Sequence, residues 1–345
     1  MDITPPFFAI APENHAAWLV VVTITFLIYS IMGVTGKVVA RLRRTSLSPL
    51  NLKAYDWTVL AALAFAIAQS VLIVNACQNG LGQHQDIVSD TNLDAVRKEL
   101  FAASLLSVVV HVLGKLSTVL IIMAINARKD LHIACTAVFA IIAMWGVAAI
   151  FILSFRCGTE SPWNSNEGRC LNNAQTFVGI NTVNVLTDIA LVVLPCIMMW
   201  TVQTTFAIKF RVIGLFASRI AVPALLIPST AYYGSGSSLN NETWFLVEPL
   251  LLGQMALNTS ILTACIPSLK GIIDMFWSGA SVFTMPVQYT PSSQQGMVYG
   301  HRSKTSETLK DKKKNMSQDR SESQEELRHD STPRTVDGDD GIRYR

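Results

Sequence analysis

The sequence predicts an all-α membrane protein: a seven-transmembrane helix bundle with its N-terminus outside and a disordered cytosolic C-terminal tail. Three observations predict it. Half of the 345 residues are apolar and only 15% are charged, a balance that excludes a soluble globular protein. Seven mostly apolar stretches reach the roughly 20 residues that a helix needs to cross a bilayer core. The charges are also segregated, with residues 301–345 holding 21 of the 51 Asp, Glu, Lys and Arg residues.

The stretches follow in order. Residues 1–16 form a short extracellular N-terminus without Lys or Arg, so the apolar run at 17–40 is expected to stay as a span and not to be cleaved as a signal peptide. Span two covers 57–77. Spans three (100–126) and four (131–155) are separated by Ala127, Arg128, Lys129 and Asp130, which predicts a tight helical hairpin. Spans five, six and seven cover 176–201, 212–232 and 245–270. The membrane domain is therefore 17–275, and 276–345 make an interfacial stretch, with Phe276 and Trp277, followed by the tail.

Lys and Arg in short loops favour the cytoplasmic side. One set of loops carries Arg41, Arg43, Arg44, Lys53, Arg128, Lys129, Lys209 and Arg211, and the other carries Arg97, Lys98, Arg156 and Arg169. Eight against four places the N-terminus outside and the tail in the cytosol, as an odd number of spans requires. Cys157 and Cys170 then flank a polar outer loop and are expected to form a disulfide. Cys77 falls at an outer helix end, while Cys135, Cys196 and Cys265 lie in spans as small packing residues. Of three Asn-x-Ser/Thr sequences, only Asn241 is outside and available for glycosylation, since Asn258 is in a span and Asn315 in the tail.

Charges inside a bilayer are costly and therefore point to function or to a pairing partner. His111 and Lys115, four apart, share a face of span three. Asn181, Asn184 and Asp188 form one polar stripe on span five. Counting rise along each helix places Lys115 and Asp188 at similar depth, where they can meet. Arg219 in span six is a second partner for Asp188. Glu248, a turn inside span seven, is placed to face the outer mouth beside His84. Two readings stand: a polar pocket or ion path among spans three, five, six and seven, or buried pairs that fix helix packing. Pro195, Pro223, Pro228 and Pro267 are candidate kinks.

Other chemistry lacks support. Span seven has no central Lys for a retinal Schiff base, and no metal-ligand cluster, phosphate loop or nucleophile–base pattern is present. Gly80-Leu81-Gly82 opens no strand-to-helix unit. The chain is not expected to be an enzyme or to need a cofactor or metal, and its small net charge of +3 gives no reason to expect nucleic acid.

An ordered set of residues carries a family resemblance. It comprises Asp56-Trp57, Gly80-Leu81-Gly82-Gln83-His84, Lys115-Leu116-Ser117, then Cys157, Trp163 and Cys170. It continues with Asn181, Asn184, Asp188 and Pro195, then Gly214 and Arg219, and ends with Glu248 and Cys265-Ile266-Pro267. Across about 17–274 the chain resembles the fungal rhodopsin-domain membrane proteins, a group that includes the receptor implicated in appressorium formation. The resemblance implies a seven-helix protein of the plasma membrane or an endomembrane, mainly receptor-like, without a chromophore. The short N-terminus lacks the Cys-rich domain of the best-known receptor members, which favours a small molecule, a lipid or a partner helix over a large external ligand.

The tail has 10 Ser or Thr and almost no large apolar residue, so it is expected to be disordered. Lys310 and Lys312 to Lys314 can touch anionic lipid. Arg320-Ser321-Glu322-Ser323 and Arg328-His329-Asp330-Ser331 resemble basic-directed kinase sites, consistent with a cytosolic signalling partner. The leading expectation is a receptor-like sensor of a small molecule or lipid, in the plasma membrane before an endomembrane. The alternative is a small-solute transporter or channel, or a membrane component of a biosynthetic pathway.

Overall fold

Apolar stretches of this length leave a backbone no option in lipid but to bond to itself, and helices do so. The computed structural model describes residues 15–44, 52–125, 129–157, 163, 173–201, 205–236 and 242–269. All lie in Met1–Pro286, the first of the chain's two compact units; the second is Val287–Arg345. The tail, the interfacial stretch, Cys170 and Asn241 are outside the described residues, and so are the predictions that rest on them. Every regular element among the described residues is helical.

In chain order the helices are α1 (Ala16–Arg44), α2 (Ala54–Gln78), α3 (Asp90–Ile125), α4 (Lys129–Phe155), α5 (Asn173–Thr201), α6 (Phe206–Ala217), α7 (Ala221–Gly236), α8 (Glu242–Phe245) and α9 (Val247–Cys265). They provide seven spans, the sixth and seventh each built from two helices. α3 occupies the middle of the bundle, against α2, α4, α5 and α9, while α1 packs on α2 and α9, and α7 on α5 and α9. The outward faces remain apolar: Met144 is 70% and Trp200 88% exposed, which suits lipid and not water.

Three boundaries differ from the sequence expectation, each for a physical reason. α3 begins at Asp90, ten residues early, because Ser89 accepts the Leu93 backbone N–H at 2.9 Å and Asp90 places a negative charge in the first turn. An apolar-run criterion stops where polar residues begin, but the helix continues into water. The sixth span is broken by a 3-10 turn at Ser218–Ile220. Pro223 lacks the N–H that would bond the Arg219 carbonyl, and its ring crowds that same carbonyl. The seventh span breaks at Leu246, where Pro249 withholds the donor for the Phe245 carbonyl. Pro195 and Pro228 sit inside uninterrupted helices.

The outer end is tied by the Gly80-Leu81-Gly82 turn. Both glycines have positive φ, 111° and 92°, a conformation that glycine adopts without penalty. A Cβ on Gly82 would lie 2.7 Å from the Ala16 nitrogen. The backbone there accepts the His15 N–H at 3.2 Å and donates to the Thr243 carbonyl at 3.1 Å. The Thr243 hydroxyl in turn donates to the Gln83 carbonyl at 2.8 Å. One turn thus joins the starts of spans one and seven to the end of span two.

Candidate functional site

Two sites were expected from sequence, a polar cluster in mid-membrane and an outer mouth, and the structure treats them differently. In the first, Lys115 Nζ lies 3.2 Å from Asp188 Oδ2 and Arg219 Nε 3.3 Å from Asp188 Oδ1. Lys115 also donates to the Asn184 carbonyl and to the Thr187 hydroxyl at 2.6 Å. Arg219 donates to the Thr118 hydroxyl and to Ser260 Oγ at 3.5 Å. The three charged side chains are at most 1% exposed. They join α3, α5, the 3-10 turn of span six and α9, so the break at Arg219 is where the bundle's charges converge. Two cations share one carboxylate, which leaves one positive charge in excess.

Directly outward of this cluster is a cavity of about 620 Å³, within the range of small-molecule pockets. Its wall reaches Arg97, Arg156 and Ala174 at the outer helix ends, and descends to Gln69, His111, Trp145, Asn184 and Gln254. His111 stands one helical turn above Lys115, and Asn184 one turn above Asp188. Trp145 belongs to both places, lining the cavity while its ring lies 5.2 Å from Lys115 Nζ. Asn181 also lines the wall, so the stripe seen in sequence runs down one side of the cavity into the ion-pair cluster.

The outer-mouth pair is not assembled as expected. Glu248 is exposed, and the cavity wall is instead made by Leu246, Pro249, Leu250, Gly253, Gln254 and Leu257. His84 stacks on Trp244, centroids 4.4 Å apart, and His15 lies against the same ring at 4.1 Å. That ring stack sits beside the glycine turn, and none of its members lines the cavity. Cys157 follows α4 immediately after Arg156.

A second charged cluster was missed. Lys37 Nζ lies 3.5 Å from Asp56 Oδ1, and Arg41 Nε lies 3.6 Å from Asp56 Oδ2. Both cations stand over the Tyr55 ring, at 5.5 and 5.3 Å, and the Tyr55 carbonyl accepts from Ser117 in α3 at 2.8 Å. The signal was legible, since Lys37 falls within the first apolar run. Among the described residues no group of His, Cys, Asp and Glu is placed to hold a metal ion.

A helical bundle with seven apolar spans, a buried charge cluster and a pocket above it defines a multi-pass integral membrane protein. Residues 37–275 match the fungal rhodopsin domain, and the chain belongs to that family. It is similar to "Polyenoic acids biosynthesis gene cluster protein Ba17b" of Metarhizium anisopliae, 24% identical over 274 residues that cover 74% of this chain and 73% of the relative. It is also similar to "SAT4 family membrane protein" of Emericella nidulans, 25% identical over 168 residues, 47% of this chain and 44% of the relative. No solved structure matches the chain.

Proposed function

We propose that the chain is a receptor-like, non-enzymatic sensor of a small molecule, acting at the plasma membrane, with the cavity as its binding site and the ion-pair cluster as its relay. One observation carries this reading: Trp145 and Asn184 form part of the cavity wall and also contact Lys115. An occupant that moves either residue alters the contacts of the cluster, and Arg219 holds that cluster to a helix already broken at the same point. Rigid helices that meet at a break can adopt two arrangements that a ligand biases. α9 carries no lysine, so the reading needs no retinal. A Cys157–Cys170 bridge would hold the outer loop near the cavity mouth, and a cytosolic signalling protein at the tail would receive the output.

The test is hydrogen exchange on the protein in lipid nanodiscs, with and without compounds that raise its melting temperature. A sensor shows protection at the cavity together with altered exchange in α6. Trp145→Leu, which removes the ring beside Lys115, keeps the first and loses the second. Protection confined to the cavity in the unaltered protein counts against the relay.

The Metarhizium relative's name supports a second reading, a membrane component of a biosynthetic pathway that carries its product. That reading expects solute flux in reconstituted vesicles, reduced by filling the cavity with Gly253→Trp.

A further inference from the structure

Resting on the sensor reading, we propose that the cavity takes an amphipathic carboxylate: a long apolar body with its acid group at the outer mouth and an oxygen function at its inner end. The argument starts from charge. Only four Lys and Arg residues lie in the outer loops, and two of them, Arg97 and Arg156, line the cavity. Lys98 is paired with Asp94 at 2.8 Å and Arg156 has interactions of its own, so the acid group is assigned to Arg97.

No Asp or Glu is among the described residues of the wall. Glu99, on the outer part of α3, is held by Asn79 Nδ2 at 3.2 Å from each of its oxygens. The floor repeats the sign, because the Lys115–Asp188–Arg219 cluster beneath it carries one unbalanced positive charge. With Arg97 at its mouth and a cationic floor, the pocket itself suits an anion better than a cation. Guanidinium groups are the side chains best shaped to hold a carboxylate.

The middle of the wall sets the body. Phe101, Val108, Phe177, Leu226, Tyr233 and Leu250 surround it, and Arg156 stands over the Phe177 ring at 5.8 Å. Fourteen residues of α3 separate Arg97 from His111, about 21 Å of helix, so a short acid could not reach both ends. At the inner end, His111 Nδ1, Trp145 Nε1, Gln69 Oε1, Asn184 Oδ1 and Gln254 Oε1 are buried with no hydrogen-bond partner. Buried polar atoms without partners are costly. A hydroxyl at the far end of the ligand would donate to one of the three amide oxygens and accept from Trp145 Nε1.

The test uses the full chain in phosphatidylcholine nanodiscs and the fluorescent polyene cis-parinaric acid, excited by energy transfer from tryptophans such as Trp145. Saturable transfer is expected, displaced by oleic acid, more tightly by 16-hydroxyhexadecanoic acid than by hexadecanoic acid, and at least tenfold less well by methyl oleate. Arg97→Gln should weaken the acid by about tenfold and leave the ester unchanged. Gly253→Trp supplies the cavity control. Gly253 lines the wall, and a Cβ there meets nothing within 4 Å, so the indole fills open space and should abolish saturable transfer.

Equal displacement by acid and ester, or an Arg97→Gln variant with unchanged affinity, overturns the carboxylate and leaves a sensor of a neutral molecule standing. Transfer that persists in Gly253→Trp assigns it to the bilayer and overturns the site. Displacement by phosphatidylglycerol as effective as by the free acid reassigns the anion to membrane lipid. The sensor reading itself falls only with the exchange experiment above.

Discussion

Two clusters in this molecule have the same composition, one aspartate between a lysine and an arginine, and different surroundings. In Lys115–Asp188–Arg219 all three groups are closed off and the partners come from spans three, five and six. In Lys37–Asp56–Arg41 the partners come from two adjacent helices, α1 and α2; Lys37 and Asp56 are buried, 2% and 3% exposed, but Arg41, a turn nearer the inner end of α1, is 27% exposed. The difference teaches that the cost of breaking an ion pair depends on where the widowed charge can go. A cation freed near the membrane face can swing toward water. A cation freed in the middle of the bundle cannot.

The comparison can be broken by mutation, and the largest effect comes first. Asp188→Asn leaves Lys115 and Arg219 buried without a counter-charge and is expected to destabilise the protein by about 3–5 kcal/mol, read as lost monodispersity and a lower melting temperature in detergent. Lys115→Met, which leaves Asp188 paired with Arg219, should be the milder change. Equal losses for the two variants would mean that the carboxylate is not the hub. Asp56→Asn follows, at about 1–2 kcal/mol by the same assay, because Lys37 keeps its bond to the Tyr55 carbonyl at 3.5 Å. A loss as large as that of Asp188→Asn would erase the distinction. Smallest is Arg41→Gln, about 0.5 kcal/mol and shrinking as ionic strength rises; an effect indifferent to salt would place Arg41 deeper than its exposure indicates.

Much of this architecture was legible in the residues. Lys115, Asp188 and Arg219 are charges in apolar runs; counting 1.5 Å per residue put Lys115 and Asp188 at similar depth, and Arg219 stood as a second partner for Asp188. The stripe of Asn181, Asn184 and Asp188 needed only helical periodicity. What failed needed helical phase. Glu248 was placed by depth, but depth does not say which face of an almost uniformly apolar helix turns inward. The inward face of α9 carries Pro249, Gly253 and Gln254, and Glu248 falls beside it. The pairing of Lys37 with Asp56 escaped for a different reason: Lys37 sits near the end of its run and Asp56 one residue before the next, where a charge passes for an ordinary flank. The cavity was not legible at all, because an absence of side-chain volume depends on how six spans lean together. The breaks at Arg219 and Leu246 were half legible, since Pro223 marked one and Pro249 was not considered.

The sharing of Asp188 between two cations also constrains how the chain can be made. An unpaired charge at the centre of a membrane helix costs about 2.5–3.5 kcal/mol on insertion scales. Spans three, five and six each bring one such charge to the translocon, in the order Lys115, Asp188, Arg219. Span three must therefore wait at the insertion site, or insert at a loss, until span five arrives. Span six, interrupted at the arginine itself, becomes comfortable in lipid only once both predecessors are in place. Biogenesis of this bundle is thus an assembly problem more than a series of independent insertions, and a truncated chain ending after span four would be expected to present an uncompensated lysine to the cell's quality control.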